Sequence, residues 1–487
     1  MSREHDRKSN ARGFGRLWIL VLAVILAPGA LDAAAPVPNP TVIGPIPQNA
    51  SPGDPSHDYT FFSSEIVDDF GYVEEEYFLE GSANAYDIPA LPPYPQTPGG
   101  TASVVSSGHP YRTRIVVRRP VNANHFNGTV ILEWLNVTGG FDIDEGWVSG
   151  SAEHFMREGY VWVGVSAQLA GIHAPGNGLR AWSPTRYGTL DVTAGGAFLA
   201  DELSWDIFSQ AGQTIMNPSG VDVLDGLQPA RIIASGASQS ATRLGVYYNR
   251  VHPLANLFDG FMLSVANPAV RGDLGTPVFK LHSETDAAHV ALGFRPVLGT
   301  MLPPLQPDSD TLRTWQVAGS AHLDALAVEN IVALAARDSI LLPPPGLCAV
   351  QVEGSRVRFF HVIDAAYDHL VTWAKEGTPP PTAPLIETAG TDIVRDSQGL
   401  ALGGISIADH AAPTATHTGE NAGPFFCVLL GASTPFDQDT LDELYPHHGI
   451  YEVLVATVAQ GNLAAGYITR HAAQQTISGA AESDIGR

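Results

Sequence analysis

The chain has 487 residues, 44% hydrophobic and only 16% charged, which is too apolar for a disordered protein and long enough to bury a substantial core. With 26 basic against 50 acidic residues its formal charge is −24, so the clustered cations that a nucleic-acid partner demands are missing. The acidity bears on solubility and says little about substrate.

The chain opens with Arg3, Arg7, Lys8, Arg12 and Arg16, then an apolar run over residues 17–27, then small residues at 33–35. This is the pattern of a secretory signal peptide over residues 1–35. Eleven apolar residues fall well short of the ~20 that span a bilayer as a helix. No other segment is long and apolar enough, so the reading is a secreted or periplasmic protein with no stable membrane insertion after signal removal. Beyond residue 35 the count is 21 basic against 47 acidic, a net charge of −26.

Residues 36–70 read as an extended lead-in, 71–342 as the core and 343–487 as a largely helical C-terminal appendage packed on it. Prolines at 36, 38, 40, 45, 47, 52 and 55 exclude a helix and predict a stretch running over the surface. β-branched and aromatic residues predict strands over 72–86 and 112–119. From there the pattern alternates: an apolar run at 129–135, a helix at 145–157, a second run at 160–165, a long loop at 167–200 rich in glycine and proline, and a helix at 201–215. A strand at 231–234 leads through a turn at 235–239 into a helix at 240–250. Further strands are predicted at 259–265, 277–281 and 314–317, and a helix at 325–336. Short buried strands alternating with helices indicate a mostly parallel sheet covered on both faces, the α/β class. Helices are predicted near 360–374, stopped by Gly377 and Pro379, and over 437–444 and 451–463.

The chain has two cysteines, Cys348 and Cys427. Export places them where disulfides persist, so they are expected to pair; the alternative is two buried thiols. Without clustered histidines they make no zinc site, and no metal is expected.

Gly236-Ala237-Ser238-Gln239-Ser240 lies between a predicted strand and a predicted helix. A sharp strand-to-helix turn that lifts one serine hydroxyl above a sheet needs small flanking residues, and Gly236 and Ala237 meet that demand. Ser240 stands where glycine is common. A serine hydroxyl needs a positioned base, and the base an acid that fixes its tautomer. His322 follows the last predicted strand, and Asp286 follows the one before it. Glu284 is the alternative acid, two positions away; His282 and His289 read as structural. An oxyanion needs donors as well: the backbone N–H of Gln239 and a group from residues 135–140, for which Asn136 is the preferred residue.

These stretches resemble the α/β hydrolase superfamily, and within it a family of exported bacterial alpha/beta hydrolase domain proteins. The matching segments are EWLNVTGG from Glu133, SPTRYG from Ser183, GASQSA from Gly236, HSETD from His282, AGSAH from Ala318 and LDELYPHHGIY from Leu441. The resemblance implies an α/β-hydrolase fold with an eight-stranded type of sheet and a serine hydrolase using Ser238, the acid of HSETD and His322. By its pattern of small residue, Glu, any residue, Asp, that acid is Asp286. Arg186 and Tyr187 would lie above the sheet's carboxyl edge as substrate-binding residues; the alternative is structural packing. The expected function is hydrolysis of a small carboxylic ester through an acyl-enzyme, with no cofactor. Amide hydrolysis on the same triad, and a non-catalytic extracellular binding protein on the same fold, are the rival readings.

Overall fold

Short runs of β-branched and aromatic residues form nine strands that the computed structural model joins into one sheet. It describes residues 37–95, 97–296, 300–342, 348, 354–423 and 426–487; the expected signal peptide lies outside the described residues. The strands are β1 (Thr41–Ile43), β2 (Tyr72–Tyr86), β3 (Val104–Pro120), β4 (Thr129–Trp134), β5 (Val161–Val165), β6 (Arg231–Ala237), β7 (Gly260–Ser264), β8 (Val278–Ser283) and β9 (Leu312–Val317). Their order is β1-β2-β3-β5-β4-β6-β7-β8-β9. The β1-β2, β2-β3 and β3-β5 pairs are antiparallel, and from β5 to β9 every pair is parallel. This is the α/β-hydrolase fold.

The lead-in does more than cross the surface, which corrects the reading of its prolines. Residues 41–43 lie between Pro40 and Pro45, and this short proline-free window pairs with β2 as the sheet's ninth, edge strand, where missing donors matter least. Tyr59, Phe61 and Phe62 then enter the core.

Successive side chains of a strand point to opposite faces, and the parallel strands bury both. Val130, Leu132 and Trp134 of β4 join one apolar cluster with Trp205 and Phe208 of helix Ser204–Met216 and with Leu244 and Tyr247 of helix Gln239–Arg250. Ile131 of β4, Ile233 of β6 and Phe279 of β8 point the other way, into a cluster with Ile363, Tyr367 and Leu370 of helix Phe360–Glu376. That helix belongs to the C-terminal segment yet forms a covering layer of the sheet, and it ends where Gly377 takes a left-handed conformation at φ 70°.

Three other local readings change. The helix expected over 145–157 is kinked at Gly150 (φ 109°), within a π-helical turn Trp147–Ser151 that runs into helix Ala152–Arg157. The loop at 167–200 folds into three short helices, Leu169–His173, Leu179–Trp182 and Pro184–Tyr187. A helix Arg470–Glu482 follows helix His448–Ala465 and packs on it. Cys348 and Cys427 form a disulfide with Cα atoms 5.4 Å apart. Among the described residues no helix is long and apolar enough to cross a membrane.

Candidate active site

Strand β6 ends at Ala237 and the next helix begins at Gln239, leaving Ser238 alone to turn the chain. It does so at φ 57°, ψ −116°, outside the regions that L-residues occupy without strain. The turn is tight: a Cβ on Gly236 would come within 3.1 Å of the Ser240 carbonyl carbon and the Ala241 nitrogen. Ser240, in place of the usual glycine, is accommodated because its hydroxyl donates to the Ala237 carbonyl (2.8 Å) and accepts from the Ala237 N–H (3.0 Å). The second serine is thus committed to the elbow's backbone.

The chain brings Ser238, His322 and Asp286 together from the ends of three different strands. Ser238 Oγ is 2.9 Å from His322 Nε2, and His322 Nδ1 is 2.9 Å from Asp286 Oδ1. The other carboxylate oxygen, Oδ2, accepts from the Ser283 hydroxyl (2.6 Å) and backbone N–H (3.2 Å), closing a capping box at the start of helix Glu284–Leu292. Burial alone would raise the pKa of Asp286, but His322, Arg295 and His282 outweigh it and hold the carboxyl well below the usual range. Burial, with Arg295 adding to it, pushes the His322 imidazole down against the pull of Asp286.

Glu284, the alternative acid, does not touch His322. It accepts from Gly319 N (2.6 Å), Arg395 Nη2 (2.7 Å), Gly419 N (3.0 Å) and Thr418 Oγ1 (3.2 Å). Gly319 lies in the loop that carries His322, so Glu284 pins that loop to the C-terminal segment. Its neighbour Thr285 accepts from the His322 N–H at 3.2 Å and donates to the Gly419 carbonyl at 2.5 Å. Residues 284 and 286 thus divide the work, one anchoring the loop and the other meeting the ring. His282 is also away from the serine, its Nε2 3.0 Å from the Ala266 carbonyl.

Three other expected site residues are placed elsewhere. Asn136 has no donor left for an oxyanion: its backbone N–H goes to the Ile143 carbonyl (3.0 Å), and Nδ2 goes to Glu145 (2.9 Å) and the Ala237 carbonyl (3.0 Å). It braces the elbow instead. Arg186 and Tyr187 are buried against Glu76, at 2.6 Å and 2.7 Å, and Arg186 also holds the Pro47 carbonyl at 2.7 Å. They anchor the lead-in to β2 and present no polar group to a ligand, so the structural alternative replaces the substrate-binding one.

Sequence reasoning missed Arg295 and Glu145. Arg295 sits on a short ribbon, Phe294–Arg295 paired with Thr300–Met301, and brings Nη2 to 2.7 and 2.9 Å from the two His322 nitrogens. No motif signals it. Glu145 lines a cavity of about 30 Å³, enough for roughly two waters, beneath the elbow with Glu133, Asp324, Ser235 and Tyr367. Burial pushes Glu133 up to about 8 and Glu145 and Asp324 up to about 7. Among the described residues no group of three or more His, Cys, Asp or Glu is arranged to hold a metal ion.

Among solved structures, the chain is similar to a rice cell wall degrading esterase from Xanthomonas oryzae (13% identity over 40% of this chain and 43% of that one, TM-score 0.23). It is also similar to an esterase from Rhizomucor miehei (10%, 63% and 85%, TM-score 0.29) and a glucuronoyl esterase from Solibacter usitatus (10%, 55% and 82%, TM-score 0.25). The chain spans less than half the length of the first of these. No curated protein matches it. The sequence profile described as alpha/beta hydrolase domain matches residues 42–478, so the nine-stranded sheet and its serine elbow sit in a chain that belongs to the alpha/beta hydrolase domain family.

Proposed function

We propose that this protein is an exported serine hydrolase that cleaves carboxylic esters through an acyl-enzyme. The observation that carries the reading is the unbroken hydrogen-bonded series from Ser238 through His322 to Asp286, with the serine on a strained elbow at the carboxyl edge of the sheet.

In this mechanism Asp286 accepts from His322 Nδ1–H, which leaves the Nε2 lone pair facing the serine. As Ser238 Oγ attacks the ester carbonyl, His322 takes its proton, and the imidazolium forms beside a carboxylate held ionised. The carbonyl oxygen becomes an oxyanion. Gln239 offers its backbone N–H, because the first N–H groups of a helix have no intrahelical acceptor. With Asn136 committed elsewhere, the second donor is left to the backbone N–H groups of Val137 and Gly139, neither of which has a hydrogen-bond partner among the described residues. His322 then protonates the leaving alcohol, and water, activated by the same imidazole, releases the acid. Export is supported by the signal-like start of the chain and by the Cys348–Cys427 disulfide.

The test is hydrolysis of a panel of aryl and alkyl esters and aryl amides by the purified protein. Turnover of at least one ester, with a burst of alcohol equal to one acyl group per protein, is expected. Amide cleavage without ester cleavage would overturn the substrate class, and no covalent intermediate would overturn the mechanism.

A further inference from the structure

Among the described residues, Arg295 is the charged side chain in contact with His322 and Asp286 that acyl transfer does not employ. Its side chain is 4% exposed. Nη1 lies 3.3 Å from the Val265 carbonyl, and Nη2 lies 3.4 Å from Asp286 Oδ1 as well as against both nitrogens of His322.

Three features set this arginine apart. Other buried arginines have carboxylates at short range: Arg114 meets Glu76 at 2.6 Å, Arg118 meets Asp144 at 2.5 Å, and Arg243 meets Asp201 at 2.6 Å. The only ion pair of Arg295 among the described residues is the 3.4 Å approach to Asp286, whose oxygens are already engaged by His322 and Ser283. Second, the imidazole gives it no real acceptor. Nδ1 is engaged with Asp286 and Nε2 with Ser238, and a donor nearly equidistant from both nitrogens lies against the ring, off the line of either lone pair. Third, a guanidinium keeps its charge at neutral pH. A fixed cation there opposes the imidazolium that the reaction must form. Glu145, the next acidic group facing Arg295, is itself held by Asn136.

An incompletely paired buried cation that hinders the base is resolved by an incoming anion. A carboxylate accepts two parallel N–H bonds from a guanidinium, satisfies its charge and draws it off the ring. Building on the acyl-transfer reading, we infer that Arg295 receives a free carboxylate carried by the substrate, so that the ester hydrolysed is an anionic one with its carboxylate close to the scissile bond. Recognition and release of His322 are then the same event: a neutral ester leaves the arginine against the imidazole, and an anionic ester removes it.

Two matched pairs of esters test this by kcat/KM: para-acetoxybenzoate against its methyl ester, with the charge on the leaving group, and monoethyl adipate against ethyl pentanoate, with the charge on the acyl group. Wild type is expected to prefer the anionic member of at least one pair by about a hundredfold, the scale of losing one partner of a buried charge pair. Arg295→Gln should bring that ratio to within a few fold, chiefly by raising turnover of the neutral ester. Arg295→Lys, which keeps the charge but loses the fork, should retain part of the preference. A purely structural arginine would change both rates in proportion, so an unchanged ratio in Arg295→Gln overturns the inference. A wild-type preference for the neutral member of both pairs overturns it without any variant, and does so while Ser238 still reacts with a fluorophosphonate and the esters still turn over. No turnover of all four esters together with an unreactive Ser238 overturns the acyl-transfer reading and this inference with it.

Discussion

The pair Glu284 and Asp286 allows the roles of two buried carboxylates, two residues apart, to be separated by replacing each with its amide. In Asp286→Asn the outcome is set by Ser283. Its backbone N–H can only donate, and it points at the oxygen now 3.2 Å away, so the asparagine must present its carbonyl there and turn its NH2 toward His322 Nδ1. His322 is then forced to carry its proton on Nε2, where it cannot accept from Ser238. The carboxylate's attraction for the forming imidazolium is lost as well: at 2.9 Å and an effective dielectric of ~20 it amounts to about 6 kcal/mol. That agrees with a fall in kcat of about 10⁴, the scale of the same acid-to-amide change in another Ser-His-Asp triad. In Glu284→Gln every neighbour is a donor, namely Gly319, Arg395, Thr418 and Gly419, so either orientation of the amide sets NH2 against N–H or O–H. Removing a buried charge from such a set should cost about 3 kcal/mol of stability, with kcat per folded molecule within about tenfold of wild type. Both variants would be assayed with one activated ester, and their stability measured by urea unfolding. Near-normal kcat in Asp286→Asn beside a collapse in folded, stable Glu284→Gln would refute the assignment.

His322 acts as a base only when neutral, and burial together with Arg295 lowers its pKa, so the acid limb of kcat/KM is expected below the ordinary histidine value of about 6.5 and should move up in Arg295→Gln; a limb above 6.5 contradicts the buried, arginine-flanked base. Five other histidines, His252, His282, His289, His361 and His417, are pushed down to about 4 by burial, so the unfolded chain binds more protons between pH 6.5 and 4 and stability is lost as pH falls through that window. Glu133, Glu145 and Asp324, raised by burial, act oppositely and lose stability as pH rises toward their folded values of about 7 to 8, whereas Lys280, pushed down to about 7 by burial, adds stability only above that pH; the melting temperature is therefore expected to rise from pH 4 to about 6.5, where the five histidines outnumber the three carboxyls, and a fall over that window would contradict this. Reduction of Cys348–Cys427 frees a loop of 79 residues and should cost about 4 kcal/mol in chemical denaturation, and an unchanged midpoint would contradict it.

The sheet was legible because buried parallel strands leave apolar runs between helices, and the elbow because its geometry demands small residues around one serine. The same kind of reading put His322 and Asp286 after the strands that bring them to Ser238. What it could not supply is direction and partnership. Asn136 is a polar residue in a plausible loop, but only the folded chain shows that Glu145, Ala237 and Ile143 use up its donors. Arg186 and Tyr187 lie on a segment that looks exposed, yet turn inward to Glu76, a residue 110 and 111 positions away. Arg295 lies on a two-residue strand, too short for any periodic signal. The helix Arg470–Glu482 escaped notice because its buried face is built from Ala472, Ala473, Thr476 and Ala480, which give little hydrophobic contrast.

The claim on which the rest depends is that Ser238, not its neighbour Ser240, is the nucleophile. Its most direct test is covalent labelling by a fluorophosphonate, with the modified peptide read by mass spectrometry in wild type, Ser238→Ala and Ser240→Ala. The account predicts one label, on Ser238, abolished in Ser238→Ala with the protein still folded; in Ser240→Ala, which loses the two hydrogen bonds to Ala237 that shape the elbow, labelling should slow but stay on Ser238. Undiminished labelling of folded Ser238→Ala, or a label found on Ser240, would contradict it.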